Sequence, residues 1–281
     1  MFELMLPPFV ACMVLVGMLS YLGLLVIARE VIFVDLSLAQ MAALGSLTAL
    51  LVALLFGVAP NGTLAYLFAL LATAIGAALF ALTRASGKRG GRVPQEAIIG
   101  IVYVVASAAA ILVANKIPGG GEKIQETLAG SILWVTWPTI AKLAGAFAVL
   151  GLFQYTLRHK FLTISFHPEQ AEQAGWKVKW WDFWFYLSFG VVITLAVPVA
   201  GVLMVFTFLV VPAAIAFLFT RDMRRLAIIS WVSGALASLL GLWVSYKADL
   251  PTGPLIVCMY GLLLAAAGVL RKLGAGGEKA A

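Results

Sequence analysis

Charge is the scarcest property of this 281-residue chain: only 11% of its residues are Asp, Glu, Lys or Arg, against 63% hydrophobic. A water-soluble domain cannot cover its exterior with so little charge, so a soluble globular protein is excluded. Histidine occurs twice, as His159 and His167, both in one polar stretch between apolar runs. No imidazole is therefore available inside an apolar run, which argues against an intramembrane hydrolase built on a His base or a His-ligated metal. The two cysteines, Cys12 and Cys258, both lie in apolar stretches and suggest neither a disulfide framework nor a zinc knuckle. A phosphate-binding GxxxxGK followed by Ser or Thr is missing as well; GGGEK at 119–123 has the wrong spacing and no following hydroxyl residue. Ahead of the first apolar run stands Glu3 with no basic residue, unlike a cleavable signal peptide, so the first span is expected to be retained. The net charge of +7 comes from short basic clusters between apolar runs, a distribution unlike the extended basic face of a nucleic-acid binder.

What the chain has in abundance is long apolar runs. Crossing ~30 Å of hydrocarbon takes roughly 20 residues, and about nine segments qualify, near 9–28, 31–58, 63–83, 96–114, 138–157, 182–199, 201–220, 226–246 and 254–270. Backbone polar groups cannot face lipid unpaired, and the runs show no alternating polarity, so they are expected to be helices rather than barrel strands. The predicted fold is an all-α polytopic membrane protein, a single transmembrane domain over 1–281. Every Lys and Arg except Lys116, Lys123, Lys142 and Lys247 falls on one side of these spans. The positive-inside rule then makes that side cytoplasmic, with the carboxyl terminus inside and the amino terminus outside.

Several connections carry more than polarity. Residues 84–95, RASGKRGGRVPQ, form a basic Gly-rich cytoplasmic loop that reads as a plain positive-inside anchor and also suits lipid headgroups or a partner. Residues 116–131 combine turn chemistry with a short amphipathic piece. The longest cytoplasmic connection is RHKFLTISFHPEQAEQAGWKVKWW, residues 158–181. There Ser165 or His167 precedes a predicted two-turn helix with Pro168 in its first turn, Glu169 at the favourable dipole end and Gly175 as its stop. Such a helix is either a knob that fits a partner's groove or an interfacial helix anchored by Trp176, Trp180 and Trp181. Pro198 and Gly201 predict a tight turn between the sixth and seventh spans, Pro212 a kink within the seventh, and Pro251, Gly253 and Pro254 a rigid turn into the last.

Taken together these segments resemble the permease family of zinc, manganese and iron ABC importers. FHPEQAEQAG (166–175) is similar to that family's cytoplasmic F-D-P-E-x-A-x-x-x-G helix, and PVAGVLMVFTFLVVPAAIAF (198–217) to its Gly-to-Pro span, followed by SYKADLPTGPLIV. In the first half, PQEAIIGIVY and LAGSILWVT match further family segments in order. The resemblance implies a permease that pairs with a second copy, an ABC ATPase dimer inside and an extracytoplasmic substrate-binding protein outside. ATP would bind the partner subunit, with no cofactor in this chain, which is not itself an enzyme. It also implies that His167, Pro168, Glu169, Gln170, Ala171 and Gly175 form the helix coupled to the ATPase, with His167 standing where the family usually has Asp.

One departure bears on the substrate. Members passing zinc or manganese usually carry G-D-x-L-x-H in the second span, a carboxylate and an imidazole on one helix face. Here the stretch is FVDLSLAQMAALG, which places Leu36 and Gln40 at those positions. Asp35 is no simple substitute, since five residues separate it from Gln40, about 140° around a helix. Asp35, Ser37 and Gln40 remain oxygen donors for a weakly held or hydrated ion, while Asp35 also reads as a solvated residue at the span's inner end. A softer ion would favour Cys12, Met13, Cys258 and Met259; a chelated or non-metal substrate would need no ligand pair. The metal ligands are therefore unknown from sequence, and a stand-alone secondary transporter or channel is the remaining class, although such proteins usually carry more ionisable groups within their spans.

Overall fold

The computed structural model describes residues 2–59, 61–84 and 93–278. Among these residues there are helices and no strands. In chain order they are α1 (Phe2–Ala28), α2 (Val34–Leu55), α3 (Gly62–Thr83), α4 (Gln95–Ala114), α5 (Gly120–Ala129), a 3₁₀ turn (Ile132–Trp134), α6 (Trp137–Thr156) and α7 (Arg158–Phe166). The chain then forms α8 (Pro168–Gln173), α9 (Val178–Ala200), α10 (Val202–Phe219), α11 (Met223–Ala248) and α12 (Thr252–Glu278). Nine of these are long and apolar enough to span a bilayer: α1–α4, α6 and α9–α12. The span pattern read from the sequence is thus recovered, and most of the basic loop expected over 84–95 lies outside the described residues.

The residues group into two compact units. One draws on Met1–Ile27, Ala129–Phe147 and Val199–Ala281, the other on Ala28–Leu128 and Ala148–Pro198. In the first, α10, α11 and α12 pack with α1 through small residues. A side chain at Gly23 would strike the backbone carbonyl of Leu209, and one at Gly241 would lie 2.7 Å from Ile256. Close backbone approach of this kind is the usual way for membrane helices to associate, because lipid supplies no hydrophobic drive between them. A few buried polar bonds supplement it: Tyr260 Oη donates to the Gly234 carbonyl at 2.8 Å, and the Ser245 and Thr252 hydroxyls lie 2.8 Å apart.

The second unit is built on α2, packed against both α3 and α4. Gly45 of α2 sits directly on the backbone of Phe68 in α3, leaving no room for a Cβ. One turn further along α3, Gly190 of α9 meets Thr73, whose Cβ lies 3.1 Å from the position of an added methyl. Asn61 Oδ1 caps α3 by accepting from the Thr63 amide at 3.0 Å.

Three details differ from the sequence expectation. The sixth span begins at Val178 rather than near 182, because Asp182 is neutralised inside the protein and does not have to mark a boundary. The 158–181 connection holds two helices rather than one, since Phe161 and Ile164 are fully buried and fold Arg158–Phe166 into α7 ahead of α8. The turns are tighter than expected: Pro198 lies inside α9, Gly201 alone breaks α9 from α10, and the final turn runs through Asp249 and Pro251, with Gly253 and Pro254 already in the first turn of α12. Gly201 has φ 81° and ψ 156°, a region open essentially to glycine only. Pro212 lies inside α10 as expected.

Candidate functional site

In the second unit a cavity of about 290 Å³ opens between α2, α3, α5 and α9. Ala42, Ala43 and Ser46 of α2, Ala65, Tyr66 and Ala69 of α3, and Thr194, Val197 and Pro198 of α9 supply most of its wall, and α5 contributes Lys123, Glu126 and Thr127. Small residues on α2 and α3 make the space, and the chain's scarce charge reaches it only from α5. Lys123 and Glu126 stand 3.9 Å apart with both side chains more than half exposed, too solvated for a firm ion pair. A smaller cavity of about 160 Å³ shares Ala43, Leu47 and Thr127 with the first and adds Gln40, Tyr103 and Ser107. The Ser107 hydroxyl is buried with no hydrogen-bond partner among the described residues.

The three pathway residues named from the sequence do not converge. Gln40 lines the smaller cavity, whereas Asp35 and Ser37 line neither. Asp35 is 1% exposed in the first turn of α2, so it is an interior residue and not a solvated one. Its Oδ1 and the Ser37 hydroxyl lack hydrogen-bond partners among the described residues. Next to them stands a residue the sequence reading passed over: Glu96 of α4 accepts the Phe33 amide at 3.0 Å and so serves one of the unpaired donors at the start of α2. Among the described residues no three His, Cys, Asp or Glu side chains gather closely enough to hold a metal ion. Cys12 is buried and Cys258 exposed, so the two thiols occupy different environments.

The helix α8 takes the form that the sequence predicts. His167 is its N-cap, Pro168 its first residue and Glu169 its first-turn acid. His167, Pro168, Glu169 and Gln170 are exposed, while Ala171 is fully buried and anchors the helix from beneath. Gly175 turns the chain away with φ 69°, and the Trp176 amide closes the turn on the Ala171 carbonyl at 3.1 Å. Lys160 Nζ lies 3.7 Å over the Trp176 ring, a cation–π contact that ties α7 to the residues after α8. No side chain caps α8, because the imidazole of His167 makes no bond to its first amides.

Behind α8 lies a cluster that sequence reasoning missed. Asp182 of α9 is fully buried and accepts from Arg29 Nη1 at 2.8 Å and from Arg84 Nη1 at 2.5 Å. Arg29 also donates through Nε to Ser165 Oγ of α7 at 2.8 Å, and its guanidinium lies 3.8 Å over the Phe185 ring. The available sign is a lone acid at the start of an apolar run, with two arginines at other span ends that also serve as topological markers.

Comparison with known proteins gives a consistent picture. The sequence profile of the ABC 3 transport family matches residues 1–270. A probable metal transport system membrane protein of Chlamydia pneumoniae is 30% identical over 169 residues, which cover 60% of this chain and 57% of that protein. The manganese transport system membrane protein MntC of Listeria monocytogenes is 28% identical over 65% of this chain and 66% of its own length. A probable iron transport system membrane protein of Haemophilus influenzae is 28% identical over 75% of this chain and 76% of its own length. The chain thus spans somewhat over half the length of the first of these relatives. Among solved structures, PsaBC from Streptococcus pneumoniae in complex with Fab superposes with a TM-score of 0.73 over 95% of this chain and 91% of that one, at 19% identity. A structure described as an inward-facing, metal-chelate type ABC transporter gives 0.66 over 94% and 85%, at 18% identity. At these identities the likeness is one of fold.

Proposed function

The chain belongs to the ABC 3 transport family and is a multi-pass membrane protein, and from that premise we propose that it is the permease subunit of an ABC importer for a divalent transition-metal ion. Its partners in this reading are a second permease copy, an ABC ATPase dimer on the α8 side and an extracytoplasmic substrate-binding protein. Import follows if the basic side, which carries α8, is cytoplasmic, with the amino terminus outside.

The observation that carries the reading is α8: a one-and-a-half-turn knob in which every residue but the buried Ala171 is exposed. A helix of that size docks in a groove and passes on displacement. Nothing in its composition suits catalysis, since His167, Glu169 and Gln170 lie apart from the cavity. Relatives named as manganese and iron transport proteins support the substrate class. Co-purification tests the docking role. The chain is expected to retain an ATPase partner through detergent extraction, and E169R/Q170R to lose it; an unchanged complex would sink the reading.

A second substrate reading has its own observation. The larger cavity presents hydroxyls and the Lys123 ammonium, with Glu126 as its only carboxylate, and Gln40 stands where an imidazole would help to hold a bare ion. A chelated metal, whose ligands travel with it, suits such walls better than a naked cation. Elemental and mass analysis of the partner binding protein, purified with its cargo, separates the two: metal alone supports the first, metal with an organic ligand the second.

A further inference from the structure

Asp182 has no part in the transport reading above, although it is fully buried at the start of an apolar helix. Its two arginine partners come from far along the chain and from different elements. Arg29 stands in the turn between α1 and α2, and Arg84 directly follows α3. Both also hold α7. Arg29 Nε donates to Ser165 Oγ at 2.8 Å, Ser165 in turn donates to the Phe161 carbonyl at 2.6 Å, and Arg84 Nη2 reaches the Ile164 carbonyl at 3.5 Å. Ile164 and Ser165 are the last buried residues before His167, the cap of α8. One carboxylate therefore ties the turn between α1 and α2, the end of α3 and the start of α9 to the segment from which the knob projects.

Filling space does not explain the cluster, since apolar side chains of similar volume fill buried sites as well or better. What two guanidinium–carboxylate bonds supply is fixed direction, which apolar contact lacks. Two of the helices that meet at Asp182 also wall the larger cavity: Tyr66 comes from α3, and Thr194 and Pro198 from α9. Thr194 follows Asp182 by twelve residues on the same helix, about 18 Å along its axis.

We propose that Asp182 is the joint through which a displacement of α8 reaches the helices around the cavity, with Arg29 and Arg84 as its arms. The proposal rests on the reading of α8 as the docking element. Asp182 touches neither cargo nor nucleotide and acts as a positioning residue: when α8 moves, α7 moves with it, and the ion cluster converts that motion into movement of α3 and α9. Removing the carboxylate leaves a buried and a partly exposed guanidinium group facing each other without a shared partner, and the α7 segment loses its purchase on the spans.

The test uses the full chain in nanodiscs with its ATPase partner, in a Cys258→Ser background where Cys12 is shielded by burial. Spin labels at Tyr66→Cys and Pro198→Cys report the width of the cavity by electron paramagnetic resonance before and after trapping with ATP and vanadate. The parent is expected to show a nucleotide-dependent shift in label distance. Asp182→Asn should keep ATP hydrolysis and lose the shift. Because that substitution can also impair folding, Arg84→Lys and Ser165→Ala serve as milder breaks of single arms, each expected to reduce the shift while hydrolysis persists. A full shift in any variant that still hydrolyses ATP, with E169R/Q170R losing the ATPase, overturns the proposal alone. An E169R/Q170R complex that stays intact overturns the docking reading and this proposal with it.

Discussion

At the scale of single residues, His167 and Gln40 mark where this chain departs from the pattern it resembles. The imidazole at the α8 cap makes no bond to the helix's first amides, whereas a carboxylate there accepts such a bond and complements the dipole. H167D is therefore expected to stabilise the α8 region by about 1 kcal/mol, seen as slower amide exchange at Gln170 and Ala171. Slower exchange elsewhere but not there would contradict the account. On α2, Leu36 and Gln40 share a helix face at i and i+4. Installing L36D/Q40H supplies a carboxylate and an imidazole in register, and the double variant is expected to bind Mn²⁺ or Zn²⁺ where the parent does not, by calorimetry. Equal binding in both would show that the parent already holds the ion through other groups. Residue identity made the missing ligand pair legible in the sequence. The burial of Asp35 was not legible, because a carboxylate in the first turn of a helix suits the helix dipole and ordinarily stays in water, and only the packing around α2 shows it enclosed.

At the scale of elements, the spans could be read because hydrocarbon thickness fixes their length and lipid forbids unpaired backbone. The exceptions have one cause. Helix α9 begins earlier than hydropathy suggests because Asp182 is neutralised by arginines 153 and 98 residues away in sequence, a compensation no local window contains. Likewise α7 is hidden from periodicity by its basic residues, and only the packing of Phe161 and Ile164 reveals it. The turn at Gly201 gives the element-scale prediction. With φ 81° and ψ 156°, G201A forces a side chain into a region nearly closed to it and should cost about 1–3 kcal/mol. A lowered unfolding midpoint in detergent is the expected result, and an unchanged midpoint would mean that the α9–α10 break can relax without strain.

At the scale of the whole molecule, the chain supplies helices, a cavity and an exposed short helix, α8, but no phosphate-binding loop in its sequence, and the proposed function makes energy the contribution of another chain. Family membership was legible because FHPEQAEQAG and the Gly-to-Pro span lie in the right order over most of the sequence. The cavity was not, since its walls combine alanines, hydroxyl residues, aliphatic side chains and one Lys–Glu pair that only the pairing of α2 with α3, α5 and α9 brings together. Uptake of radioactive manganese by proteoliposomes tests the central claim most directly, comparing this chain alone with the chain plus its ATPase and binding protein. ATP-dependent accumulation is expected in the assembled system and none with the chain alone; accumulation by the chain alone, without ATP, would make it a stand-alone carrier instead.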